Sequence, residues 1–356
     1  MRFTRLPLFL LPALLLASLA FGAEPTPWAR NAVLVIGDGM GVTHLTAGLV
    51  SAGGNLAVER FGVVGLSRTS SADKLVTDSA AAATAMACGV KTRNGAIGVD
   101  VDGRSVPSLV ELARARSLRT GVVVTSRITD ATPAAFLAHR PLRAQEEEIA
   151  LDIAASGADL LIGGGRCFFT ARPDRRYLLG ELAANGYEIV EDRSRLATAG
   201  GEKLVALLAQ DDLPRVTQGR GDVLPAAVSV ALQRLSGERG FFLLVEGSQI
   251  DVAAHEQDGR GVTAEVVDLD RAVARLLDFA ASDGQTLVIL TADHETGGMA
   301  LTGGSIAGRD VEAGFVSKKH TATMVPVFAF GPGAEAFAGI YENTEIFTKI
   351  RAALGL

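Results

Sequence analysis

Cysteine is nearly absent. Cys88 and Cys167 are the only two in 356 residues, too few for a disulfide framework, and neither sits in a CxxC pair of the kind that holds structural zinc. Whether the two pair with each other stays open, because a bridge needs particular Cα distances. Aromatic residues make up only 5% of the chain, which argues against a base-stacking surface. Basic runs are missing and the net charge is −6, so nucleic acid is not an expected partner. There is no internal repeat, no low-complexity tract and no long linker. Histidine is sparse too: His44, His139, His255, His294 and His320 are all there are.

The first 23 residues read as a signal peptide. Arg2 and Arg5 give a positive start, and Leu6 to Ala17 is an apolar stretch too short and too early for a membrane span. Small residues at Ser18-Leu19-Ala20 and at Ala23 offer cleavage sites, which puts the boundary at 20–23. No cysteine follows, so no lipid anchor is indicated. The mature chain is expected in the periplasm or outside the cell, with residues 24–356 as one domain.

What is there in quantity is apolar residue, 48% of the chain, enough for a large core. Ala32–Ile36, Val63–Leu66, Gly121–Thr125, Leu160–Ile162, Phe241–Val245, Leu287–Leu290 and Val325–Phe330 read as strands. Most are unbroken apolar runs, the pattern of strands covered on both faces. Helical patterns alternate with them at Val106–Ser117, Ala144–Ser156, Ala226–Leu235 and Thr263–Ala281. The alternation predicts an α/β fold with a mostly parallel central sheet and helices on both faces.

The stretch from Val76 to Gly89 predicts a further helix, capped by Thr77 or Asp78 and ended by Gly89. Ser79 then falls in its first turn, where open N–H groups and the helix dipole favour an anion. Read alone, this is first of all a capped, alanine-rich packing helix.

Other residues change that reading. Asp38, Asp130 with Thr132, Glu246, and Asp293 with His294 each follow or end a predicted strand, and ligands of open α/β sheets bind beyond the carboxyl ends of the strands. Asp38 lies in Gly37-Asp38-Gly39-Met40-Gly41, whose spacing does not match a dinucleotide loop and whose acid would repel phosphate; it suits a metal better. Asp251 and His255, at i and i+4, share a helix face and form two parts of a zinc site if another histidine joins them. His320 is the candidate. His44 and His139 have apolar neighbours and read as structural.

Together, Asp38 in GDGMG, the VTDSAAAATA block, DATPAAFLAH, EGSQID with His255, TADHETGG and the late KKHTA resemble the alkaline phosphatase family in its compact bacterial form. Order and rough spacing match over nearly the whole mature chain. The resemblance implies a three-layer sandwich and hydrolysis of small phosphate monoesters to inorganic phosphate through a phosphoserine on Ser79. It implies two zinc ions, one on Asp251, His255 and His320 and the other on Asp38, Asp293 and His294. It implies one magnesium ion on Asp38, Thr132 and Glu246, with Asp130 in its outer shell. Arg143 corresponds to the arginine that clamps phosphate, with Arg140 a close rival, and Asp78 would orient it. A homodimer is one option for the assembly.

Two departures stand out. His294 and His320 are too close in sequence for a large inserted domain. Val252 stands directly after Asp251, where the family often has Lys or His. Relatives on the same scaffold also compete. A sulfatase would need Cys-x-Pro-x-Arg, which neither cysteine supplies, and a diesterase would generally lack the arginine clamp. An exported binding protein without turnover is the reading from another class, and a full nucleophile-and-metal set argues against it.

Overall fold

The computed structural model describes residues 28–356; the expected signal peptide lies outside the described residues. The strands, in chain order, are β1 (Asn31–Gly37), β2 (Val63–Arg68), β3 (Arg119–Arg127), β4 (Leu160–Gly164), β5 (Tyr187–Val190), β6 (Lys203–Leu207), β7 (Phe241–Gly247), β8 (Thr286–Thr291), β9 (Glu295–Thr296), β10 (Met299–Ser305), β11 (Asp310–Phe315), β12 (His320–Thr321), β13 (Val325–Phe330) and β14 (Gly339–Glu342). The helices are α1 (Val42–Ser51), α2 (Ser79–Cys88), α3 (Leu109–Ala115), α4 (Ala131–Leu137), α5 (Glu146–Ser156), α6 (Cys167–Thr170), α7 (Leu178–Ala184), α8 (Val223–Leu235), α9 (Gln249–His255), α10 (Gly259–Asp283) and α11 (Thr344–Leu354).

Ten strands form one sheet in the order β14-β2-β13-β8-β1-β7-β3-β4-β6-β5. Neighbours run parallel except around β13, which is antiparallel to both β2 and β8. All seven strands expected from the apolar runs lie in this sheet. β5, β6 and β14 were not expected; they are short and lie towards its two edges, where the sequence pattern is weakest.

The sheet separates two cores. Leu34, Ile36, Val122, Val124, Phe242 and Leu244 face one side, where α2 to α5 and α11 pack. Val33, Val35, Val123, Leu243 and Val245 face the other, under α8, α9 and α10. Alternate residues of one strand thus enter opposite cores, which is why β1, β3 and β7 read as continuous apolar runs. Each fully buried Leu or Phe side chain contributes roughly 1.5–3 kcal/mol against exposure.

The expected helices are present with adjusted ends. The one expected from Val106 starts at Leu109, because Pro107 precedes it and Ser108 caps it by accepting the Glu111 N–H at 3.3 Å. The one expected from Ala226 starts earlier, at Val223, since Pro225 is tolerated in a first turn. Cys88 is a buried free thiol and Cys167 a half-buried one, so no bridge links them.

Among the described residues no helix is long and apolar enough to cross a membrane.

Candidate active site and metal centre

The four strands that carry acids at their ends are the four central neighbours β8, β1, β7 and β3. Their parallel direction brings Asp293 and His294, Asp38, Glu246, and Asp130 with Thr132 to one edge. The register fixes depth: Ile36 pairs with Glu246, and Glu246 with Val124. Asp38 therefore lies just beyond Glu246, and both are buried.

Helix α2 begins at Ser79. Asp78 is the N-cap, and its Oδ1 accepts the Ala81 N–H at 3.0 Å. Gly89 ends the helix with φ of 72°, a conformation suited to glycine. All ten residues of α2 are buried; the alanine-rich packing helix is also the element that carries Ser79. Alanine's small side chain lets it lie close to α4 and α11 while its N-terminus reaches the sheet edge. Ser79 Oγ is 3.2 Å from His294 Nε2.

Two ligand sets meet here. Asp38, Asp293 and His294 converge on one point, and so do Asp251, His294 and His320. His294 lies within reach of both groups, beside Asp38 and Asp293 on one side and Asp251 and His320 on the other. His255 joins the second set, with its Nε2 3.2 Å from Asp251 Oδ2 and 3.1 Å from His320 Nε2. The expected trio of Asp251, His255 and His320 is therefore assembled.

Second partners orient these rings. His255 Nδ1–H donates to the Lys318 carbonyl at 2.7 Å and His320 Nδ1–H to the Thr77 carbonyl at 3.0 Å. The Thr296 hydroxyl donates to Asp251, which leaves its oxygen to accept from His294 Nδ1 at 3.2 Å. With one proton on Nδ1, each neutral ring keeps its Nε2 lone pair for a cation, and a ring that takes up a second proton donates from Nε2 to the carboxylate beside it.

Several buried atoms lack hydrogen bonds: Asp38 Oδ1, Asp293 Oδ2, Glu246 Oε1 and Thr132 Oγ1. Buried polar groups are normally satisfied, and unpaired carboxylate and hydroxyl oxygens are the ligands a hard cation takes. Burial pushes Asp38 well above the usual carboxylate range, helped by the charges of Asp293, Asp251 and Glu246. Burial likewise raises Glu246 to about 8, against a hydrogen bond from Ser248. For Asp251 burial acts upward, but the His255 hydrogen bond and the neighbouring rings hold it below its ordinary value. That hydrogen bond to Asp251 is also the main reason His255 rises to about 9. So much negative charge in one buried place calls for cations; the residues fit divalent metals.

A cavity of about 140 Å³ opens above this cluster, lined by Asp38, Ser79, Arg143, Val252, His255 and His320 among others. One water occupies roughly 30 Å³ of liquid, so the space suits a phosphoryl-sized group. Arg143 separates from its rival here. Its Nη2 donates to Asp130 Oδ1 at 3.0 Å, its Nη1 lies 3.6 Å from Asp78 Oδ2, and its backbone N–H donates to the Gly95 carbonyl at 2.7 Å. Arg140 does not line this cavity and is bound to Asp152 at 2.5 Å. A larger cavity of about 960 Å³ lies beside α8 and α10 and holds none of the candidate residues.

His44 and His139 lie outside both ligand sets. His44 is buried in the first turn of α1 and accepts the Gly41 N–H at 3.2 Å. His139 bonds the Gly98 carbonyl at 2.6 Å and Glu111 at 3.1 Å. Sequence reasoning missed Thr296, Ser126, Ser248 and Asp212. Ser248 Oγ donates to Glu246 Oε2 at 2.7 Å, Ser126 Oγ to the same atom at 3.3 Å, and Asp212 lines the cavity. Thr296 and Ser248 stand within the motifs that carry ligands, which is the one signal that would have found them; Asp212 comes from a loop with none.

The chain resembles known proteins over most of its length. The alkaline phosphatase family profile matches residues 29–312. The chain is 32% identical to alkaline phosphatase 3 of Bacillus subtilis, covering 98% of this chain and 96% of that protein. It is 35% identical to streptomycin-6-phosphate phosphatase of Streptomyces griseus, covering 93% and 92%. Among solved structures, alkaline phosphatase from the Antarctic bacterium TAB5 superposes with a TM-score of 0.87 at 43% identity, covering 92% and 98%.

Proposed function

The chain belongs to the alkaline phosphatase family, and from that premise we propose that it is an exported, metal-dependent phosphomonoesterase with Ser79 as its nucleophile. The observation that carries this reading is the position of Ser79: at a helix start, 3.2 Å from His294 among the candidate metal ligands, facing Arg143 across a small cavity.

In this reading the phosphate monoester enters that cavity. The Arg143 guanidinium, held by Asp130 and Asp78, bonds two phosphoryl oxygens as a fork. The open N–H groups of Ser79 and Ala80 add the positive end of the α2 dipole. Ser79 Oγ, losing its proton, attacks phosphorus in line; the alcohol leaves, and a water then cleaves the phosphoserine to free Ser79 and inorganic phosphate. Zinc would be held by Asp251, His255 and His320 and by Asp38, Asp293 and His294, and magnesium by Asp38, Thr132 and Glu246. When bound, such ions lower the pKa of the attacking hydroxyl or water and offset charge on the leaving oxygen. With the divalent ions bound, their charge and that of Arg143 would favour a dianionic monoester over a diester, and the substrate named for the Streptomyces griseus relative, streptomycin 6-phosphate, is itself a monoester.

The reading extends to residues 24–356 as one catalytic domain behind a cleaved signal peptide, in the periplasm or secreted.

The test is Ser79→Ala. Nitrophenyl phosphate turnover should fall by orders of magnitude while zinc content and folding hold, and acid-quenched phosphate labelling should mark Ser79 in the unaltered chain. Label on another residue, or near-normal turnover in the variant, would end the assignment.

A further inference from the structure

Arg127 closes strand β3 three residues before Asp130, ahead of the DATPAAFLAH motif, and no sequence signal singles it out. Its side chain touches four carboxylates. Nε donates to Glu146 Oε2 at 3.0 Å, Nη1 reaches Asp211 Oδ1 and Asp212 Oδ2 at 3.1 Å each, and Nη2 lies 3.7 Å from Asp130 Oδ1. Its backbone N–H also donates to Asp212 Oδ1 at 2.8 Å. The Asp130 oxygen near Arg127 is the same one that accepts from Arg143 Nη2. Asp130 and Asp212 both line the small cavity. Arg127 stands behind them, with its side chain 22% exposed.

Two guanidinium groups therefore compete for one carboxylate oxygen. Arg143 is tied to Asp130 on one side and to Asp78 on the other, and whatever holds it there must be given up when its fork turns to a phosphoryl group. A carboxylate already neutralised by a second cation holds its partner less firmly. Asp212 faces the same cavity, and its negative charge opposes a dianionic ligand unless Arg127 offsets it.

We infer that Arg127 is a positioning residue for phosphate: by taking up Asp130 and Asp212 it leaves Arg143 free to clamp the phosphoryl group and removes repulsion from the cavity wall. This rests on the phosphomonoesterase reading above. Arg127 does not itself touch the ligand.

A purely structural staple joining β3, α5 and the loop at Asp211–Asp212 makes a different prediction, and opposite charge changes separate the two. With metal-loaded enzyme and inorganic phosphate as the inhibitor, Arg127→Met should raise the inhibition constant and the KM for nitrophenyl phosphate by about fivefold to tenfold, with a smaller change in kcat. Arg127→Lys should recover part of that loss. Asp212→Asn should act the other way and tighten phosphate, and the Arg127→Met/Asp212→Asn double variant should return towards the unaltered enzyme. Thermal unfolding and zinc content report on folding separately. Should Arg127→Met fail to fold, Asp212→Asn decides alone: unchanged or weaker phosphate binding overturns the inference. An active parent enzyme whose phosphate inhibition ignores both substitutions overturns this inference only. A parent that hydrolyses no monoester overturns the functional reading, and this inference with it.

Discussion

His255 and His320 face each other through their Nε2 atoms, 3.1 Å apart, while each Nδ1 already donates to a backbone carbonyl. Two lone pairs at that distance repel unless a proton or a cation lies between them. Asp251, with oxygens 3.2 Å and 3.7 Å from the two rings, adds a third electron donor to the same point. The Lys318 and Thr77 carbonyls thus choose the tautomer that a metal needs, and they come from loops far apart in sequence.

Replacing His255 or His320 by alanine should therefore lose about one zinc per chain, with activity partly restored by excess zinc. The loss in metal affinity should be at least of the order of 10–100-fold seen when a ligand's supporting contacts are removed. Unchanged zinc stoichiometry in both variants, measured on dialysed protein, would exclude this site.

Val252 lines the cavity directly after Asp251, so a long cation there should reach the phosphate. One charge-assisted contact contributes roughly 1.5–3 kcal/mol, about tenfold or more in affinity. Val252→Lys is expected to lower the inhibition constant for inorganic phosphate by that order, and to slow maximal turnover if product release becomes limiting. Equal constants at fixed pH and ionic strength would mean that position 252 does not act on the bound anion.

Stability has its own buried charge cluster. Arg220 is bound to Glu265 at 2.5 Å and Asp268 at 2.8 Å, with all three side chains no more than 2% exposed. It also donates to the Pro214 carbonyl at 3.1 Å, tying the loop before α8 to α10. Removing the cation leaves two buried carboxylates facing each other. Arg220→Ala should cost about 3–5 kcal/mol in urea unfolding of the metal-loaded protein, with the nitrophenyl phosphate KM of the folded fraction little changed.

His139 offers a pH test away from the metals. Its hydrogen bond to Glu111 raises its pKa above the ordinary 6.5, against partial burial. A histidine whose folded pKa is raised binds protons more tightly folded than unfolded. Its contribution is complete below pH 6.5 and fades as pH rises through the folded value. Glu111, lowered from 4.5 chiefly by the same bond, loses its share as pH falls through its own folded value. The stability difference between the parent and His139→Gln should therefore be largest at mildly acidic pH and shrink above neutrality. A difference that grows with alkalinity would contradict the pairing.

Much of this was legible along the chain. The continuous apolar runs of β1, β3 and β7 exist because both faces of those strands are covered, and a run of that kind shows in one dimension. Asp78 and Gly89 mark the ends of α2 through their own backbone preferences. Asp251 and His255 are neighbours by helical spacing alone. The edge strands β5, β6 and β14 were not legible, since their pairing depends on partners distant in sequence and their own patterns are short.

The residue types of the site, their placement after strands and the start of the helix that carries Ser79 follow from the sequence by itself, because local propensity and strand direction need no partner. The tertiary structure alone decided which ligands share a point. His320 reaches the site only because β12 pairs with β9, setting His320 opposite Thr296 beyond the β10–β11 hairpin. Arg143 rather than Arg140 faces the cavity because Gly95, Asp78 and Asp130 hold it there while Asp152 draws Arg140 away. His294 comes within reach of both candidate groups, and Arg127 stands behind Asp130 and Asp212, through contacts between segments that no spacing along the chain connects.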